Sequence, residues 1–161
     1  MFRKRIAILA AALTFVSAIG LPVVFPVAAR ASLDNECRFD LTKDRFDGVD
    51  AVISAAHTFT RDVTSFIDVG ATDFAELNSD FRQSRRDLRQ DFKFGLQDIA
   101  QARGEAIDDL HVVCGNISAA RVHKELAFYD ALDIRLARAY RKARIALRKA
   151  YIASLQSCCV F

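Results

Sequence analysis

The most chemically biased part of this sequence is its end. Arg135, Arg138, Arg141, Lys142, Arg144, Arg148 and Lys149 lie between 134 and 161, a stretch with no acid. Cations at that density recognise anions, whether lipid phosphates, acidic polymers or the acidic face of a protein. At about 100° per residue the seven fall on one half of a helix. Leu136, Ala139, Tyr140, Ala143, Leu147, Ala150, Tyr151 and Ser154 fall on the other half, and Ile145 and Ile152 intrude on the cationic side. A basic amphipathic helix of this kind lies on anionic membranes or packs on partner helices. The pattern also suits an ordinary bundle helix, which needs one apolar and one solvated face. Acids elsewhere would then balance it: Asp34 to Asp80 holds eleven acids against Arg38, Lys43, Arg45 and Arg61.

The four cysteines are the second chemical resource. Cys37 and Cys114 are predicted to pair, because Cys37 precedes the first helical stripe and can reach back to Cys114 at a later turn. Cys158 and Cys159 are adjacent, and such a pair can staple the tail or link two copies of the chain into a homodimer. A weaker metal site is spelled by His111, Cys114 and His123, but zinc sites usually recruit four ligands and a bridged cysteine supplies no thiolate. The reading is therefore no metal and no cofactor. Asp108 with Asp109, and Asp130 with Asp133, are carboxylate pairs of the sort hydrolases use, and they need a concave pocket to act. The sequence contains no Gly-rich phosphate loop, no serine nucleophile elbow and no His-Glu-x-x-His, so the expectation is a protein that is not an enzyme.

The elements that carry these residues are helices. Val49, Val52, Ile53, Ala56, Phe59, Val63, Phe66 and Ile67 recur in steps of three and four, with Asp47 as a cap. A second stripe runs through Phe74, Leu77, Phe81, Leu88, Phe92, Ile99, Ala106, Leu110 and Val113, with Thr72 as its cap. Gly104 is a point at which this helix can break, since glycine costs about 1 kcal/mol relative to alanine. The third stripe joins Val122, Leu126, Tyr129, Leu132, Leu136, Tyr140, Ala143, Leu147, Ala150 and Tyr151, after a stop at Cys114-Gly115-Asn116 and a cap at Asn116 or Ser118. The spacing predicts helices over about 48–68, 73–114 and 118–157. The fold class is all-α: a short helix followed by a long antiparallel helical hairpin, closing a three-helix bundle over 47–161 as one domain. Residues 32–46, mixed and polar, read as an irregular lead-in.

The start of the chain reads as an export signal, itself helical. Arg3, Lys4 and Arg5 precede an uncharged run from Ile6 to Ile19; Gly20, Pro22 and Pro26 break it; Ala29 and Ala31 flank Arg30 in a small-x-small cleavage site, which defines a secretory signal over 1–31. Removing it takes away four cations and leaves 19 basic against 20 acidic residues, so the basic balance of the whole chain carries no implication of nucleic-acid binding. An uncleaved membrane anchor is the competing reading of the same segment. The expected location is periplasmic or secreted, where an even number of thiols favours disulfides.

Leu132 to Tyr140 is similar to a Leu-Asp-x-x-Leu-Asn-x-x-Tyr pattern found in small secreted bacterial proteins of the lysozyme-inhibitor-like kind, with Ala137 at the position of the pattern's Asn. The likeness covers nine residues and carries no function to this chain. Two expectations follow from the residues themselves. The first is an exported, non-enzymatic helical binding protein of the cell envelope whose partner is another envelope protein. The alternative is association with a membrane or anionic polymer through the basic face of the last helix.

Overall fold

The computed structural model describes residues 35–69, 71, 73–114 and 117–158, all but a few of them in three helices. These are α1, Asn35–Val69; α2, Phe74–Val112; and α3, Ala119–Cys158. Each packs against both others, α2 antiparallel to its neighbours, so the molecule is the expected three-helix bundle. At 1.5 Å per residue the helices are each about 50–60 Å long. The signal segment, with Ala29 and Ala31, lies outside the described residues, as do Cys159 and the side chain of Cys158.

The first helix is longer than its apolar stripe announced. The segment read as an irregular lead-in is helix from Asn35 onward, and Asp47 sits inside α1 instead of capping it. The inward positions here are Cys37, Leu41, Asp44, Gly48 and Ala51, spaced by three and four like any helical face. Only Leu41 and Ala51 among them are ordinary apolar residues, so the periodicity is hidden by composition. Gly48 is required by close approach: a Cβ there would lie 2.9 Å from both Leu132 Cδ1 and Tyr129 Cε1. Gly95 plays the same part on α2, where a Cβ would meet Leu136 Cδ2 at 3.0 Å and Ala55 Cβ at 3.1 Å. Helix α2 runs unbroken through Gly104, where nothing lies within 4 Å of an added Cβ. The roughly 1 kcal/mol that glycine costs a helix is small beside the packing on either side of it.

Asp73, one residue later than the expected Thr72, caps α2 by accepting the Glu76 N–H at 2.8 Å. At the other end, Val113 and Cys114 both donate N–H bonds to the Asp109 carbonyl, at 2.9 and 3.2 Å. Ser118 opens α3, its carbonyl accepting from Arg121 at 2.9 Å. The core is mostly the predicted stripes, with Phe59, Leu88, Ile99, Leu110, Tyr129, Leu132, Leu136 and Leu147 all fully enclosed. Phe74, predicted to face inward, is exposed at the first turn of α2. Aromatic rings close the far end: Phe92 stacks on Tyr140 at 4.5 Å, Phe81 stacks on Tyr151 at 4.2 Å, and the Tyr151 hydroxyl donates to Asn78 at 2.7 Å. Such pairs add about 0.5–1.5 kcal/mol each beyond the area they bury.

Cys37 and Cys114 form the predicted disulfide, with Cα atoms 5.0 Å apart. It ties the start of α1 to the end of α2. Disulfides persist in oxidising compartments. Among the described residues no helix is long and apolar enough to cross a membrane.

The α1–α2 seam contains facing carboxyl groups. Asp62 has a buried Oδ2 without a hydrogen-bond partner. Burial first, then the close-facing Asp91 carboxyl and repulsion from Asp87, push its carboxyl up to about 7, with Arg61 opposing. The folded-state value lies above the unfolded one. The stability this group adds is therefore fully present below about pH 4 and is lost as pH rises through about 7. Thermal melts are expected to show a lower Tm at pH 8 than at pH 5. Asp62→Asn should raise stability at pH 8 by on the order of 1–2 kcal/mol, less than full conversion of the shift because the group keeps some contact with water. The same substitution should do little at pH 4. Equal melts of both proteins at pH 8 would show that the facing acids cost nothing.

Candidate functional site

The seven C-terminal cations are all exposed along the outer side of α3. Leu136, Ala139, Ala143, Leu147 and Ala150 are buried on the inner side, as the helical projection requires. The expected pairing of these cations with acids of α1 and the start of α2 does not form: among the described residues, none of the seven is within 4.0 Å of a carboxylate. Arg144 instead rests over the Tyr140 ring, 5.7 Å from its centroid. Ile134, Ile145 and Ile152 are about half exposed in the middle of this face. Their spacing of eleven and seven residues stacks them within about 20° of one another. The sequence reading noted Ile145 and Ile152 and missed Ile134, whose role is legible only from its alignment with the other two. The result is a strip of three isoleucines flanked by seven cations, about 27 Å long from Ile134 to Ile152 at 1.5 Å per residue.

The other candidates fare differently. Cys114 is held in its disulfide, so the metal site of His111, Cys114 and His123 loses the thiolate it needed. His111, His123 and His57 are exposed. Asp130 and Asp133 are both bridged by Arg103, at 3.3 and 3.4 Å, which offsets part of the pair's charge and links α2 to α3. Burial nevertheless raises the Asp133 carboxyl above its ordinary value, against the pull of Arg103. A shallow hollow on α2 is lined by Phe74, Asn78, Arg82 and Arg86, away from these residues.

A polar cluster that the sequence did not announce sits about two helical turns along α1 from the disulfide. Arg45 donates two hydrogen bonds to the buried Glu125, at 2.7 and 2.5 Å, and its guanidinium lies 5.5 Å from the Phe128 centroid. The Glu125 pairing raises the Arg45 value further. Next to it, one oxygen from each of Asp44, Asp47 and Glu105 falls within 4.8 Å of the other two. Asp44 is 2 % exposed and its Oδ2 has no hydrogen-bond partner. Burial, then repulsion from Asp109, raises its carboxyl to about 6. The Tyr129 hydroxyl is also buried without a partner, and burial together with Glu125 and Asp44 holds its proton far more tightly than usual. These residues come from all three helices at separations that single-sequence patterns do not encode.

No protein-family description, no curated protein and no solved structure matches this chain, so the bundle and its side chains are the ground for a functional reading.

Proposed function

We propose that this chain is an exported, non-enzymatic binding protein of the cell envelope, and that it engages an anionic membrane surface through the outer face of α3. The observation that carries this reading is the strip of seven exposed cations, unpaired with any carboxylate among the described residues, with three isoleucines along its middle. A face built only to be solvated has no need of exposed isoleucine. One that meets acidic polymer alone gains little from it. Lipid supplies both phosphate for the cations and acyl chains for the isoleucines, as interfacial helices require. The Cys37–Cys114 bridge supports export, because such bonds last outside reducing cytoplasm. An envelope protein with an acidic, apolar-centred groove is the rival partner.

Co-sedimentation with vesicles tests the reading. Binding should require anionic lipid and weaken with salt. At about 1 kcal/mol per basic residue near the surface, converting Arg138, Arg141, Lys142 and Arg148 to Gln should lower affinity by tenfold or more. Replacing Ile134, Ile145 and Ile152 with Ser should weaken vesicle binding but leave binding to a soluble polyanion unchanged. Vesicle binding that survives the four Gln substitutions sinks the proposal.

A further inference from the structure

We infer that the acidic cluster of Asp44, Asp47 and Glu105 is a binding site for a single hard divalent cation, calcium by its chemistry. Three features of the cluster argue this. Its oxygens lie within 4.8 Å of one another, a span that oxygens bound to one calcium at 2.3–2.6 Å can occupy. Asp44 is almost wholly enclosed, yet its Oδ2 has no hydrogen-bond partner, a costly arrangement for a carboxylate unless something positive meets it. The Tyr129 hydroxyl, fully enclosed and also without a partner, adds a second unclaimed oxygen from the third helix.

Charge points the same way. Asp109 faces Asp44, and Lys43 is the cation acting on it, while the guanidinium of Arg45 is committed to Glu125. The Cys37–Cys114 bridge lies about two helical turns from Asp44 and holds α1 against α2, so the backbones that carry the carboxylates stay together. All donors are oxygens, which suits calcium and does not suit zinc or copper. Asp47 and Glu105 are exposed, so the ion would enter from their side and keep water on that side.

Titration calorimetry on the full chain with its disulfide intact, with calcium chloride as the probe, is expected to show one ion per chain. It should also raise Tm relative to EDTA by more than sodium chloride of equal ionic strength does. Terbium gives a site-specific reading. The chain has three tyrosines and no tryptophan. Asp44 and Asp47 both act on the Tyr129 hydroxyl, whereas Tyr140, the next along α3, is eleven residues or about 16 Å farther along the helix. Tyrosine-excited terbium emission should appear, fall when calcium is added and be lost in Tyr129→Phe. In the double variant Asp47→Asn, Glu105→Gln, whose altered side chains are both exposed, calcium affinity should fall at least tenfold and the emission should disappear. The inference is overturned if the unaltered chain gives neither calcium heat nor calcium-specific stabilisation. It is equally overturned if the double variant responds as the unaltered chain does.

Discussion

Cys37→Ser with Cys114→Ser is expected to lower the unfolding free energy by about 4 kcal/mol, because the unfolded chain is freed of a long closed loop. The bridge spans a sequence separation of 77, and the chain-entropy relation gives about that value for a closed loop of this size. The loss should be felt locally as well. Cys37 is fully buried at the start of α1, where the inward positions that follow include Asp44 and Gly48, which add little apolar area. Without the bridge this end of α1 is held by Leu41 and the Arg45–Glu125 pair alone among its larger side chains, while Asp44, Asp109 and Glu105 repel one another beside it. Urea melts should show the midpoint falling steeply, and hydrogen exchange should show residues 37–46 opening first. A midpoint within a few tenths molar of the oxidised protein would mean that packing alone secures α1.

Arg45→Ala should cost about 3–5 kcal/mol, the range for removing one partner of a buried ion pair. The asymmetry of the pair sets the direction. The Glu125 side chain is 2 % exposed and the Arg45 side chain 28 %. Deleting the arginine strands a carboxylate with no water, whereas Glu125→Gln leaves a guanidinium that can turn outward along its own stem. The latter change should cost only about 1–2 kcal/mol. Replacing both partners by apolar residues of similar size should recover most of the loss, because the pair's net worth is small beside the penalty of orphaning one charge. Chemical denaturation of the two single variants and the double variant closes the cycle. If Arg45→Ala costs no more than a surface substitution, water reaches Glu125 and the pair is not buried in solution.

What could be read in advance follows a simple physical division. Helix α3 and most of α2 were legible because leucine, phenylalanine and tyrosine recur on one side of them, and burial of such side chains dominates folding. The bridge was legible because a turn at Cys114 and the reach from Cys37 limit the partners. The start of α1 was not, since its inward residues are Cys37, Asp44 and Gly48, and each is inward for a reason that hydropathy does not register: a bond, a polar cluster and a close approach. Arg45 with Glu125, and Asp44 with Glu105, are likewise pairs created by helix register. Their sequence separations are long, and no local spacing marks them. The basic face was found as a periodic pattern, but its lack of acidic partners could be learned only once the helices were placed.

The bridge also decides how the molecule carries mechanical load. Tension entering at the beginning of α1 passes through the sulfur atoms to Cys114 and onward into α3, bypassing everything between. Helices α1 and α2 then form a slack ring beside the load path, shielded from the pull. Helix α3 joins them through the main chain after Cys114 and through no disulfide among the described residues, and it is the helix that peels. Pulled from its two ends, such a chain would yield by releasing α3 while the ring stays whole.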